Sequence, residues 1–104
     1  MLKPKKLFNK NFLSSLDMST EEVMHVLELA TSLKNKDLDL KFDSKVLGLI
    51  FDKSSTRTRV SFQVAMSRIG GTTIDLNPTT SQIGRGEPIK DTARVLSRYC
   101  DVIA

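Results

Sequence analysis

The sequence predicts an α/β fold: a parallel sheet with helices on both faces. Three observations point there. Residues 46–51 (Val-Leu-Gly-Leu-Ile-Phe) form an apolar run with no polar alternation. Residues 60–69 carry apolar side chains at helical spacing and stop at Gly70-Gly71. The same strand–loop–helix order then repeats from residue 72 to the end. A strand apolar on both faces belongs inside a sheet covered twice, which is the setting of parallel strands. Parallel neighbours need crossover connections, and the helical stretches supply them.

Each element follows from its residues. Residues 1–18 show no clear period and read as an ordered lead-in using Leu7, Phe8, Phe12, Leu13 and Leu16. Ser19-Thr20-Glu21-Glu22 is a capping box, with Ser19 as N-cap and Glu22 reaching back from the third helical position. The helix it opens carries a stripe of Val23, Val26, Leu27, Ala30 and Leu33 and fades near Lys34-Asn35-Lys36. A polar connection leads to the first strand. Ser55 and Thr56 then stand where they can cap the second helix, which carries Val60, Val64 and Ile69 and ends in a left-handed glycine cap. Thr72-Thr73-Ile74-Asp75-Leu76 forms a short second strand. After the loop at 77–87, Pro88 takes the first position of a third helix with Ile89, Ala93, Leu96 and Tyr99 on one side. Asp101-Val102-Ile103-Ala104 begins a third strand. Residues 1–104 therefore read as one domain, left incomplete at its C-terminal side.

Composition narrows the function classes. The apolar and charged fractions, 39% and 27%, are those of an ordinary globular chain. The net charge of +4 is partly local, because Lys3, Lys5, Lys6 and Lys10 crowd the N-terminus. Only Phe8 and Phe12 accompany them as stacking platforms, so a solvated lead-in is favoured over a nucleic-acid arm. No apolar run reaches membrane-spanning length and no secretory pattern opens the chain, so the expectation is a cytoplasmic protein that engages no membrane. The single Cys100 has no internal disulfide partner and reads as a small buried hydrophobe rather than a nucleophile. His25 has Glu21 and Glu28 at i−4 and i+3, a spacing able to hold a metal; with no second histidine or cysteine beside it, a charged helix face is the better account.

Chemistry concentrates in two loops, both at the carboxyl ends of strands, where ligands gather in open parallel sheets. The first holds Ser55-Thr56-Arg57-Thr58-Arg59 at a strand-to-helix turn. A helix N-terminus offers unpartnered N–H groups and the positive end of a dipole, and three hydroxyls with an arginine fork complete a site for a multiply charged oxyanion such as phosphate. The glycines and Lys-Ser/Thr of a P-loop are missing. Arg59, two residues past Arg57 and roughly 200° around the helix, faces elsewhere and is expected in a structural ion pair. The second loop contains Gln82, Gly84, Arg85, Gly86 and Glu87. Gln82 and Arg85 can meet an anionic or amide-bearing substrate, or Arg85 and Glu87 are simply solvated; spacing does not choose.

Residues 51–62, Phe-Asp-Lys-Ser-Ser-Thr-Arg-Thr-Arg-Val-Ser-Phe, resemble the carbamoyl-phosphate signature of the aspartate and ornithine carbamoyltransferase family. Residues 81–99, Ser-Gln-Ile-Gly-Arg-Gly-Glu-Pro-Ile-Lys-Asp-Thr-Ala-Arg-Val-Leu-Ser-Arg-Tyr, resemble its ornithine branch, with Arg85 where the aspartate branch has a lysine. The resemblance implies that Ser55, Thr56, Arg57 and Thr58 hold the phosphate of carbamoyl phosphate and that Arg57 helps polarise the carbamoyl group in catalysis. It implies that Gln82 reaches the site from a neighbouring subunit of a homotrimer, that L-ornithine is the acceptor, and that citrulline and phosphate are the products, in arginine metabolism. No metal or organic cofactor is implied. Acceptors such as aspartate, putrescine or acetylornithine, and a non-catalytic phosphate-binding module, are the alternatives. The family's ornithine-binding domain and its His-Pro-Cys segment find no counterpart among the 104 residues, so the expectation is an amino-terminal fragment without turnover of its own.

Overall fold

The computed structural model describes residues 10–51, 55–76 and 88–104. It divides into two compact units, Met1–Leu40 and Lys41–Ala104. The described part of the first unit holds a short 3-10 turn, Ser15–Asp17, and helix α1, Thr20–Lys34. The expected capping box is formed in both directions: Ser19 Oγ accepts from Glu22 N at 3.1 Å, and Glu22 Oε1 accepts from Ser19 N at 2.9 Å. Glu21 and Glu22 also place negative charge at the positive end of the helix. A second box, between Ser14 and Asp17, closes the 3-10 turn and has no counterpart among the expectations. The apolar stripe of α1 is present but not buried: Val23, Val26 and Leu27 are all exposed.

The second unit contains β1 (Val46–Ile50), α2 (Thr56–Arg68), β2 (Thr72–Leu76), α3 (Ile89–Leu96) and β3 (Val102–Ile103). The sheet order is β2-β1-β3, and both pairings are parallel. Val46 to Ile50 pair in register with Thr72 to Leu76, while Leu47 and Gly48 pair with Val102 and Ile103. β1 is therefore central. The connection through α2 moves outward to β2, and the connection through α3 returns past β1 to β3. With the right-handed sense such crossovers take, those opposite steps put α2 and α3 on opposite faces.

The core is small and sits on β1. Leu49 is 0% exposed, and among the described residues Leu47, Gly48, Thr92 and Leu96 are the others buried. Gly48 keeps the backbone close to its neighbours, since a Cβ there would lie 3.0 Å from Cys100 Sγ. α2 ends as expected on a left-handed glycine: Gly70 has φ 87°, Gly70 N donates to Ser67 O and Gly71 N donates to Met66 O at 2.8 Å. That pair of bonds is a Schellman closure.

α3 departs from expectation in two ways. Pro88 is the N-cap rather than the first helical residue, because its ψ of 137° is still extended while its carbonyl accepts from Asp91 N and Thr92 N. The side that packs is Thr92 and Leu96, an i, i+4 pair; Ile89 and Tyr99 are exposed. The helix stops at Leu96 and the following residues turn, so the 3.6-residue period no longer governs where Tyr99 points. Because Leu49 is enclosed on both sides, Leu49→Ala should lower unfolding free energy by about 2–5 kcal/mol. The urea midpoint of the purified chain checks this, with exposed Val95→Ala expected to change it little.

Candidate functional site

The site begins where β1 ends. β1 ends at Ile50, and Ser55 is the N-cap of α2. The second helix is not capped as expected: Ser55 has φ −141° and ψ 75°, and its side chain makes no capping hydrogen bond. Its carbonyl still accepts from Arg59 N at 3.0 Å, which closes the first turn. The N–H groups ahead of that bond have no partner within the helix. Oγ of Ser55 is thus not spent on the helix and stands beside donors that a ligand can use.

Ser55, Thr56, Arg57 and Thr58 line one open depression of about 630 Å³. A second hollow, about 450 Å³, runs down the flank of α2 past Arg57, Thr58, Ser61, Phe62 and Ala65. The two share Arg57 and Thr58, but only the first sits over the helix N-terminus, where orphan N–H groups and the dipole favour an anion. The four residues expected to act together are therefore brought together. Gln82, Arg85 and the rest of the loop at 77–87 lie outside the described residues, as do 52–54.

Arg59 lines neither hollow. Its Nε lies 3.0 Å from Asp75 Oδ2, at the far end of β2, and its guanidinium carbon lies 5.8 Å from the centre of the Phe51 ring. The Nε–H is not aligned on the carboxylate, so the contact is Coulombic rather than a well-formed hydrogen bond. The Phe51 ring in turn lies 6.4 Å from that of Phe62. The structural ion pair expected of Arg59 is present. Its partners were not among the expectations; the one signal for Asp75 is a lone carboxylate inside an otherwise uncharged strand.

The remaining candidates stay apart from this site. Cys100 packs against Gly48 and is half-buried rather than buried as expected; that partial burial raises its thiol pKa and the Asp101 carboxylate raises it further. A thiol so placed carries less thiolate than a free one, the opposite of an activated nucleophile. Among the described residues no three His, Cys, Asp or Glu side chains gather as a metal site around His25 or elsewhere. No helix among them is long and apolar enough to cross a membrane.

A three-stranded parallel sheet whose central strand feeds a hydroxyl- and arginine-bearing helix N-terminus defines an α/β domain suited to a phosphate-like oxyanion. Comparison with known proteins gives that class a family. Residues 10–104 match the aspartate/ornithine carbamoyltransferase, carbamoyl-P binding domain. The chain belongs to this family. It is similar to the ornithine carbamoyltransferases of Prochlorococcus marinus subsp. pastoris, at 78% identity over 104 residues, and of Prochlorococcus marinus strain MIT 9312, at 75%. All of the chain is covered but only 34% of each relative, so the chain spans about a third of the length of the curated relatives it matches. Among solved structures it is similar to the ornithine carbamoyltransferase of Pyrococcus furiosus, with 44% identity and a TM-score of 0.82 over 93% of this chain and 32% of that one. A Trypanosoma cruzi aspartate transcarbamoylase in complex with carbamoyl phosphate and aspartate gives 29% identity and a TM-score of 0.82, over 94% of this chain and 34% of that one.

Three outcomes follow from the caps of the two helices and the setting of Cys100. Ser19→Ala should destabilise the chain by about 1 kcal/mol, whereas Ser55→Ala, which breaks no cap bond, should cost well under half of that; paired urea titrations compare them. For Cys100, a folded-state pKa above the unfolded one means the unfolded chain binds fewer protons in that window, so stability falls as pH rises through the unfolded thiol pKa. The same shift should make alkylation of folded Cys100 by iodoacetamide at pH 8 slower than that of the urea-unfolded chain, as followed by mass spectrometry.

Proposed function

We propose that residues 10–104 bind carbamoyl phosphate as the carbamoyl-phosphate half of an ornithine carbamoyltransferase. Ser55, Thr56, Arg57 and Thr58 hold the phosphate, and Gln82 contributes from a neighbouring subunit of a homotrimer. The observation that carries this reading is the gathering of those four residues on one depression at the N-terminus of α2, with Ser55 Oγ uncommitted to capping. The family match and the ornithine carbamoyltransferase relatives support it.

In the complete reaction the neutral δ-amine of L-ornithine attacks the carbamoyl carbon. A C–N bond forms, the C–O bond to phosphorus breaks, phosphate leaves with the electron pair, and the amine loses a proton, giving citrulline. Charge grows on the carbonyl oxygen and on the departing phosphate. Donors already aimed at those positions stabilise it without reorganising, and Arg57 serves both by holding phosphate and polarising the carbonyl. Holding both substrates together supplies a further share of the rate. The acceptor-binding residues belong to the remaining two thirds of the relatives' length, and the domain assigned to 1–104 is the carbamoyl-phosphate domain alone. On this reading the whole enzyme works in the cytoplasm, in arginine metabolism.

Titration calorimetry of the 104-residue chain tests the assignment. Carbamoyl phosphate should bind to the wild-type chain, and Arg57→Ala should weaken it by roughly 10- to 100-fold, the effect of losing charge-assisted hydrogen bonds. Equal affinity in the two proteins would refute the role of Arg57.

A further inference from the structure

Arg57 and Arg59 are two residues apart on one helical turn, yet only Arg57 lines the depression. Arg59 ties together three segments that meet beneath it. Its side chain reaches Asp75 in β2, with Nε 3.0 Å from Oδ2, and lies over Phe51 just past the end of β1. Its backbone N–H holds the Ser55 carbonyl at 3.0 Å. One residue thus fastens the two neighbouring strand ends and the first turn of α2 to each other. Ser55 makes no side-chain cap that would hold this turn independently.

Both partners are about three-quarters withdrawn from solvent, with side-chain exposures of 24% for Arg59 and 29% for Asp75. Their attraction is therefore less screened than that of a surface pair. Aromatic contact with Phe51, itself against Phe62, restricts where the guanidinium plane can lie. Such a contact set is poorly suited to binding substrate, since its charge is already matched and it opens onto neither hollow. It is well suited to fixing the position of the turn that carries Ser55, Thr56, Arg57 and Thr58. Because binding sites lose affinity steeply when their donors shift by about 1 Å, a brace one layer below the donors controls how well they converge.

We infer that Arg59, held by Asp75 and Phe51, is a positioning residue for the phosphate cradle, and that Asp75 sets the cradle's affinity without touching the ligand. The inference rests on the proposed binding of carbamoyl phosphate at Ser55–Thr58, and the experiment separates the two. Asp75→Asn removes the charge and keeps the shape; Asp75→Glu keeps the charge; Arg59→Lys keeps the charge but loses the planar group over Phe51. Each 104-residue chain is titrated with carbamoyl phosphate and with inorganic phosphate. Each is also followed by amide hydrogen exchange and by urea unfolding at the same temperature.

Asp75→Asn is expected to weaken both ligands about tenfold, a coupling typical of residues in contact. Exchange at the Arg59 amide should quicken more than at Val64 or Met66, and Asp75→Glu should recover most of the affinity. A merely structural pair would lower the urea midpoint while leaving the affinity of the folded chain and the rescue by Asp75→Glu unmoved. Wild-type binding with unchanged affinity in a folded Asp75→Asn chain would overturn the positioning role alone. A wild-type chain silent toward both ligands would instead overturn the binding assignment, and the positioning role with it. Should Asp75→Asn not fold, Arg59→Lys decides by the same affinity comparison.

Discussion

β1 must be apolar on both faces because it is the middle strand of a sheet with a helix crossing on each side, and the site inherits its position from that requirement. Leu47, Gly48 and Leu49 are buried consecutively, which leaves no solvent-facing side along the centre of the strand. The strand is also fixed at its start. Val46 N donates to Asp101 Oδ2 at 2.8 Å, Asp101 N donates to Val46 O at 2.9 Å, and Lys45 Nζ lies 3.7 Å from the same carboxylate. At its end, Ile50 N donates to Ala104 O at 2.8 Å. A strand held at both ends and packed on both faces is a fixed platform, and five residues after its end Ser55 stands as the N-cap of α2. The turn proposed to hold phosphate follows the best-packed strand among the described residues.

The two arginines of this turn illustrate how magnitude separates function from support. A partly exposed ion pair such as Arg59–Asp75 contributes only about 0–1 kcal/mol to stability, and a cation–π contact adds about 0.5–1 kcal/mol. Burial of one leucine on β1 outweighs either. Such interactions matter less for whether the chain folds than for where a single turn comes to rest. Arg57, which leaves its fork to solvent beside Thr58, has no comparable internal partner among the described contacts. Two arginines two residues apart are thereby divided by a helical rotation of roughly 200°, Arg59 turned to the fold and Arg57 to the depression proposed to take the ligand.

Much of this was legible in the sequence because the signals are local. A capping box spans four residues, a glycine closure two, and an interior parallel strand betrays itself by missing alternation; all three appear where the residues place them. The division between Arg57 and Arg59 was readable from rotation alone. What escaped required knowledge of partners distant in the chain. Nothing near Arg59 names Asp75, sixteen residues away across a crossover, or Phe51 at the end of a neighbouring strand. The stripe on α1 is correctly periodic, yet periodicity states which face is apolar and not whether anything covers it. Tyr99 departs from the face the 3.6-residue period assigns it because α3 ends at Leu96, before the period reaches it. Gln82 is the one site residue whose proposed role depends on another copy of the chain, information a single sequence holds only through resemblance.

The two long helices show what a binding turn gives up. α1 opens with a reciprocal capping box and with Glu21 and Glu22, every local choice favouring the helix. α2 opens with an N-cap whose hydroxyl is unused, no acidic residue in its first turn, and Arg57 near the positive end of its own dipole. Lacking the cap costs about 1 kcal/mol, and a cation at that end is unfavourable by about 0.3–1 kcal/mol. A turn built for stability would carry serine bonded to the backbone and a glutamate three residues on, as α1 does. In α2 the same two positions are Ser55, whose hydroxyl is uncommitted, and Thr58, so on the proposed binding a dianion meets open N–H groups and offsets the unfavourable placement of Arg57. On the proposed binding, the interactions missing from the free turn are ones a phosphate supplies, and Arg59 holds the turn where the Ser55 side chain does not.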